Sequence, residues 1–530
     1  MDLDFLSGQL FMVGFKGTEF TGEHEDLLKT LKPSGIILFR RNVVNPRQVG
    51  ELIGDFQSYA KKIGLPPLFV SIDYEGGIII RISGGVTPIP SAMAISATRR
   101  VESARIVAEI AARELRAMGI NVNLAPVVDV NSNPLNPIIG VRSFGDDPLE
   151  VARFGEVYIK SLQSNGVMAV AKHFPGHGDT SVDSHLDLPV LDLDLDVMLR
   201  RELVPFKAAI DAGVSAIMTA HIAYPRIDSS NLPATLSKTI ITDLLRRRLN
   251  FNGIVMTDAL EMKAIYDRFS PREIAVLALN AGVDLLLPCN DYDFMLSLKD
   301  EIVRGVRDGE ISRDRLMDAY LKLNEFRGKF NLYSYKFNPE YLSVIGCRRH
   351  RDAVSNIYMS SLTLVKNEGV LPLDGDLVSM GIVIPKIVVD RFLGLDDFYL
   401  WFDNILSEYC GDIRVFTYEV NPSIEAVNTI SEGLRDCEVN LVFTYNALLN
   451  RGQVDLVERL MGLGDLIVVA SRDPYDILAF PGVKCYIATY GLNRFQLEFL
   501  IRALFGELSF RGGLPVNING LFSRTPLSVD

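Results

Sequence analysis

The chain has 530 residues, 48% of them hydrophobic, with 54 Lys and Arg against 66 Asp and Glu for a net charge of −12. This is enough apolar material for more than one core, and the acidic balance excludes nucleic acid and anionic membrane as partners, since gripping phosphates needs clustered cations. No run reaches the ~18 uninterrupted apolar residues of a membrane span. In chain order, short apolar runs recur at LFMVG (10–14), GIILF (35–39), LFVSID (68–73), VNLAP (122–126), VMAVAKH (167–173), AIMTAH (216–221), GIVMTD (253–258) and VDLLLP (283–288). Near-continuous apolar runs bounded by turns suit parallel strands covered on both faces. Amphipathic stretches such as ARIVAEIAARELRAMG (104–119) and REIAVLALNAG (272–282) lie between them and are long enough for crossover helices. The pattern predicts a (β/α)8 barrel over residues 1–335, although the first run reads equally well as a helix.

NLYSYKFNPEYLSVIGC (331–347) has no period, so residues 336–350 are read as a linker. From 351 to 530 the runs SMGIVIP, IRVFTY, NLVFTYN, LIVVAS and CYIATY alternate with helical patterns at 454–463 and 494–506. That rhythm predicts a smaller α/β/α sandwich built on a doubly wound sheet. The five cysteines, at 289, 347, 410, 437 and 485, are odd in number and without a CxxC pair. Together with the acidic start MDLDFLSGQLFMVGF, which lacks the basic region of a secretory signal, they point to a cytoplasmic protein with reduced thiols.

Barrel enzymes keep their chemistry at the C-terminal ends of strands. Four predicted strands end there in ionisable groups: Asp73, the pair Lys172 and His173, His221, and Asp258. One such Asp is as easily a helix cap, but four on one rim argue for a site. Glu261 is read as structural, in the first turn of the helix after Asp258, where an acid suits the helix dipole. The densest polar stretch, AKHFPGHGDTSVDSHLDLP from 171, holds three of the six histidines. A zinc site would need ligands sharing a helix face, and Pro175, Gly176 and Gly178 break such a helix. Asp183 and His185 instead form a candidate proton-transfer pair: a carboxylate beside an imidazole fixes its tautomer and favours its charged form. With Asp258 as a carboxylate opposite, the parts suffice for acetal cleavage with retention.

KHFPGHGDTSVDSHLDLP resembles the signature of the β-N-acetylglucosaminidase branch of glycoside hydrolase family 3. GQLFMVGFKGT, IDYEGG, NLAPVVDVNSNPLNPIIGVRSFGDDP, MTAHI and MTDALEM occur in that family's order, and SSLTLVKNEGVLPL and FRGGLPVNI are similar to its second domain. The resemblance implies a retaining exo-β-N-acetylglucosaminidase that forms a covalent glycosyl intermediate on Asp258. It implies His185, held by Asp183, as acid and base on a loop (176–185) that closes over the sugar. It also implies sugar binding by Asp73, Arg81, Arg142, Lys172 and His173, and less firmly by His221. No metal or organic cofactor is expected; the partner is an N-acetylglucosamine saccharide, a chitooligosaccharide or a cell-wall muropeptide of peptidoglycan recycling. The chain is expected to be a monomer or homodimer. DYEGGIIIR departs from the family's usual DQEGGRVxR, with Tyr74 for Gln and Ile78 for Arg, which bears on the leaving-group side. The rival readings are a phosphorylase, a β-glucosidase or β-xylosidase of the same family, a metal-dependent hydrolase and a non-catalytic sugar-binding protein.

Overall fold

The structure is a computed structural model that describes residues 2–181, 187–375, 377–388, 402 and 404–528. The chain divides into two compact units: Met1–Ile89, Ala104–Ile139 and Asp147–Arg351 form the first, and Pro90–Ser103, Gly140–Asp146 and Asp352–Asp530 the second. Two short segments from within the first 150 residues thus cluster with the C-terminal part, a division that apolar periodicity does not show.

The first unit is built on eight parallel strands: β1 (Met12–Gly14), β2 (Gly35–Leu38), β3 (Phe69–Ile72), then, past a small hairpin of β4 (Tyr74–Gly76) and β5 (Ile79–Ile80), β6 (Val122–Asn123), β7 (Met168–Phe174), β8 (Ala216–Thr219), β9 (Ile254–Ala259) and β10 (Leu285–Leu287). All eight predicted runs are strands, and the first is not a helix; a short helix, Leu3–Gly8, precedes it. The sheet closes on itself where Phe11 bridges Leu286, with Leu286 N donating to Leu10 O at 2.7 Å and Gly14 N to Pro288 O at 3.2 Å. Closure leaves no free sheet edge.

The barrel interior is a packed core. Alternate residues of a strand face the same way, and the buried interior cluster contains Phe69 of β3, Met168 and Val170 of β7, Ala216 and Met218 of β8, Ile254 and Met256 of β9, and Leu285 and Leu287 of β10. The phase of these pairs places Asp73, Lys172 and Asp258 on the inner face, two residues beyond Ser71, Val170 and Met256. The predicted helices at 104–119 and 272–282 are Glu102–Ala117 and Pro271–Ala281. The second of these opens with a capping box in which Ser270 and Glu273 satisfy each other's backbone amides.

The second unit holds a six-stranded sheet of β11 (Thr363–Asn367), β12 (Leu377–Pro385), β13 (Cys410–Tyr418), β14 (Val439–Thr444), β15 (Asp465–Ala470) and β16 (Cys485–Ala488), in the order β11-β16-β15-β14-β12-β13. The five predicted strands are all present and parallel. Their order reverses between β12 and β14, as in doubly wound folds. β11 adds an antiparallel edge on β16; its TLVKN is too short and too polar at its end to stand out beside the buried runs. The sheet carries its own core, including Met380, Ile382, Leu441, Phe443, Ile467 and Ile487. Within the stretch read as a linker, Pro339–Val344 is a 3-10 helix, and helix Arg348–Ser361 begins before the units divide. No described helix is long and apolar enough to cross a membrane.

Phe69 is 1% exposed at the centre of the barrel, so Phe69→Ala is expected to cost about 3–5 kcal/mol through lost transfer energy and a residual cavity. Denaturant unfolding followed by a probe within the barrel checks this.

Candidate active site

The C-terminal ends of the barrel strands carry a connected set of charges. Lys172, 2% exposed, places Nζ 3.0 Å from Asp73 Oδ1 and 2.7 Å from Glu75 Oε1. The other Asp73 oxygen, Oδ2, accepts from Arg81 Nη2 at 2.9 Å. Asp73 and Arg81 thus flank the β4–β5 hairpin and are joined across it by an ion pair. The turn between these strands needs Gly76 and Gly77, whose φ values of 101° and 56° lie in the left-handed region. Asn123 of β6 fixes the hairpin's start, accepting from Tyr74 N at 3.2 Å and donating to Tyr74 O at 3.0 Å. Burial alone would raise the Asp73 pKa, but the Lys172 and Arg81 charges and their hydrogen bonds outweigh it and hold the carboxyl far below the usual carboxylate range.

His173 faces a different carboxylate. Asp129 is fully buried; its Oδ2 is 2.8 Å from His173 Nδ1, and its oxygens accept from His173 N at 3.2 Å and His177 N at 2.7 Å. A carboxylate only accepts, so His173 carries a proton on Nδ1. Burial opposes ionisation of Asp129, yet the His173 and His177 contacts keep its pKa below the ordinary value. The segment leading toward the predicted dyad is tied down further. Tyr224 Oη donates to Gly176 O at 2.5 Å, Asn136 Nδ2 to His177 O at 2.8 Å, and His177 Nδ1 lies 2.8 Å from Thr180 Oγ1. Arg201 bridges Asp179, at 2.6 Å, and Glu202. Gly176 has no room for a side chain, since a Cβ would fall 2.7 Å from Glu202 Cγ. His177 therefore shapes this segment. Asp183 and His185 lie outside the described residues.

Asp258 is half-buried at the end of β9, with Oδ1 accepting from Ala259 N at 2.7 Å. Burial pushes its pKa up, but the positive fields of His173, His221 and Lys172, with the Ala259 amide, hold it below the usual 3.8. At neutral pH it is an ionised carboxylate within the field of the Lys172 ammonium. His221 Nε2 lies 3.0 Å from Ala259 O, and because a carbonyl only accepts, Nε2 carries a proton. Its Nδ1 lies 2.7 Å from Thr235 Oγ1. Both ring nitrogens are thus engaged by protein, and the ring braces the strand end that presents Asp258. Glu261 is in the turn ahead of helix Lys263–Tyr266 rather than inside its first turn. Its carboxylate accepts from the amides of Cys289 at 2.7 Å, Asn290 at 2.6 Å and Asp291 at 3.2 Å, which orders the loop after β10. The structural reading of Glu261 holds, through a different set of amides.

Asp73, Arg81, Lys172, His173, His221 and Asp258 all belong to the first unit. Arg142 closes the 3-10 helix Gly140–Arg142, which clusters with the second unit, where Val141 N donates to Asp473 Oδ1 at 2.8 Å. The sequence reading missed Glu75 and Asp129 as partners. Glu75 was visible as the residue in phase with Asp73, two positions on; Asp129 was visible only as a lone acid in the apolar run APVVDV. Among the described residues no group of three His, Cys, Asp or Glu is arranged to hold a metal ion.

Residues 3–325 match the model of the Glycosyl hydrolase family 3 N terminal domain. The chain is 36% identical over 394 residues to Beta-hexosaminidase A of Pseudoalteromonas piscicida, a stretch spanning 69% of this chain and 65% of that protein. A Beta-hexosaminidase of Idiomarina loihiensis is 35% identical over 284 residues, spanning 53% of this chain and 83% of that protein. The fold is similar to a solved glycoside hydrolase family 3 beta-N-acetylglucosaminidase from Paenibacillus sp. str. FPU-7, with a TM-score of 0.90 at 35% identity over 98% of this chain and 99% of that one.

Lys172→Met leaves the carboxylates of Asp73 and Glu75 buried without their ammonium, and breaking such a cluster costs about 3–5 kcal/mol. The depressed Asp73 pKa gives wild type a contribution that is present above the unfolded carboxylate pKa and is lost as pH falls toward the folded value. The stability gap between variant and wild type is therefore expected to be widest near pH 7 and to narrow on acidification, as urea denaturation across pH would show.

Proposed function

The chain belongs to glycosyl hydrolase family 3, and from that premise we propose that it is a retaining exo-β-N-acetylglucosaminidase acting through a covalent intermediate on Asp258. The observation that carries this reading is the place of Asp258, half-buried at the end of β9 on the inner face of the barrel, with the Lys172 ammonium acting on it. The named activities of the similar proteins support the sugar: beta-hexosaminidases, and a family 3 beta-N-acetylglucosaminidase with the same fold over nearly its full length.

In the first step the Asp258 carboxylate attacks the anomeric carbon while His185 donates its proton to the departing glycosidic oxygen. The C–O bond to the leaving group breaks, and a glycosyl ester forms on Asp258. His185, now neutral and oriented by Asp183, takes a proton from water, whose oxygen attacks the anomeric carbon and releases Asp258. The assignment of His185 and Asp183 rests on the sequence motif. Asp73 is the acceptor for paired sugar hydroxyls, with Arg81 and Lys172 as donors and His173 presenting Nε2 because Asp129 engages Nδ1. His221 acts through the β9 strand end rather than on the sugar. A barrel mouth of this kind is filled with charge before substrate arrives, so little reorganisation is needed as charge develops.

The hairpin between Asp73 and Arg81 carries Ile78, Ile79 and Ile80, all partly exposed. Three apolar side chains beside the sugar subsite suit an aglycone with apolar faces, such as the N-acetyl methyl and ring faces of chitooligosaccharides, over an anionic muropeptide. The five free cysteines, four of them buried, agree with a reducing, cytoplasmic setting.

Asp258→Asn is expected to lower turnover of a chromogenic N-acetylglucosaminide by at least about 1,000-fold, because the attacking group is gone; near wild-type turnover would remove it as nucleophile. His185→Ala is expected to damage chitobiose hydrolysis far more than that of an activated aryl glycoside, which needs little protonation to leave; equal losses would count against its role as acid. In a hydrolysis profile, chitobiose and longer chitooligosaccharides are expected to outrank muropeptide-like disaccharides in kcat/KM, and Ile78→Arg to reduce that preference.

A further inference from the structure

The opposite end of the barrel holds a second concave region that the proposed chemistry does not use. It lies beside the N-terminal ends of β6 and β7, where Asn121 and Gly166 line a cavity of about 760 Å³. A smaller hollow of about 290 Å³ adjoins it and shares Arg116, Ser164, Gly166, Phe330 and Asn331 with it. The larger volume falls in the range of small-molecule sites, roughly 300–1,000 Å³.

The charge of this region runs against that of the chain. Arg113, Arg116, Lys336 and Arg349 line the larger cavity and Lys329 the smaller, and among the described residues no Asp or Glu lines either. Among the described residues, the carboxylate ion pair made by these five is a long one, Arg113 Nη2 to Glu109 Oε2 at 3.6 Å. Arg116 lies in the last turn of helix Glu102–Ala117 and Lys329 in the last turn of helix Arg313–Lys329, where a cation suits the helix dipole. That accounts for two of the five. Arg113, Lys336 and Arg349 gain nothing from either dipole, so their convergence is a cost unless an anion joins them.

Arg116 is fitted into place. Its Nη1 lies where a side chain on Gly166 would be, 2.0 Å from an added Cβ, and Gly166 has a φ of 81°. Nη1 donates to Asn165 O at 3.4 Å, and Tyr335 Oη donates to Arg116 O at 3.1 Å. Aromatic rings flank the cations: Phe330, Tyr335 and Tyr341 line the same cavity, and Tyr341 is 52% exposed. Guanidinium groups match phosphate oxygens in paired hydrogen bonds, and exposed aromatic faces accept a planar ring.

We propose that this basal cavity binds an organic diphosphate or polyphosphate bearing a planar group, of the nucleotide class, at a site separate from the glycosidase mouth. The test is isothermal titration of the full chain at low salt with ADP, pyrophosphate, adenosine and sulfate. ADP is expected to bind with a Kd below about 1 mM, more tightly than pyrophosphate or adenosine alone, and to weaken as salt is raised. Lys336→Gln/Arg349→Gln removes two exposed cations without touching the Arg116–Gly166 contact, and is expected to weaken ADP at least about tenfold while leaving hydrolysis of a chromogenic N-acetylglucosaminide unchanged. Absence of heat with any probe would overturn the site. So would undiminished ADP binding by the variant, displacement of ADP by N-acetylglucosamine, or sulfate binding as tightly as ADP, which would mark diffuse charge only. These outcomes are read by binding, so they stand apart from the success or failure of the glycosidase assignment.

Discussion

The ammonium of Lys172 sits nearly fully buried at the top of a closed barrel, 3.0 Å from Asp73 and 2.7 Å from Glu75. An unpaired charge in such a place would be expelled or neutralised. Paired, it stays charged while buried, and the rest of the site follows from it. Asp73 is held ionised and in turn holds Arg81, so the hairpin between them is closed onto the strand ends. The same ammonium contributes to the field that keeps Asp258 ionised. One cation thus links Asp73, Glu75 and Arg81 with the carboxylate of Asp258.

A second carboxylate, Asp129, organises the residues that follow Lys172. It bonds to the His173 ring and to the amides of His173 and His177, which fixes a ring and a chain direction with one buried group. The segment that follows is anchored at Gly176, His177, Asp179 and Thr180 before it reaches Asp183 and His185. Tyr224, Asn136 and Arg201 supply these anchors. Ionic order at the mouth contrasts with the basal end, where Arg116, Lys329, Lys336 and Arg349 converge without carboxylate partners among the described residues. In a barrel the two ends are chemically independent, because a packed core of Met, Val, Ile and Leu separates them.

Much of this was legible beforehand. Eight apolar runs mark eight strands because both faces of a barrel strand are buried, and the residue ending each run must lie at a rim. Asp73, Lys172 and Asp258 were picked out on that ground. Glu75, although in phase with Asp73 two positions on, and Asp129, a lone acid in an apolar run, were not, because neither position carries a local signal of its distant partner. Asp129 reaches His173 across 44 positions and Asp73 reaches Lys172 across 99. His221 was picked out on the same ground, and its ring nitrogens lie 3.0 Å from Ala259 O and 2.7 Å from Thr235 Oγ1.

By itself the sequence determined the eight barrel strands, five strands of the second sheet, the two α/β architectures and the inward phase of the rim residues, since these depend on periodicities of a few residues and on turn chemistry. Only the tertiary structure decided which charges pair. It also decided that Pro90–Ser103 and Gly140–Asp146 belong with the C-terminal unit, that β11 joins its sheet, and that Glu261 caps the loop after β10. The physical reason is the same in each case. Pairing and unit membership are set by which distant segments are brought within hydrogen-bond reach when the sheets form, and no local pattern encodes that distance.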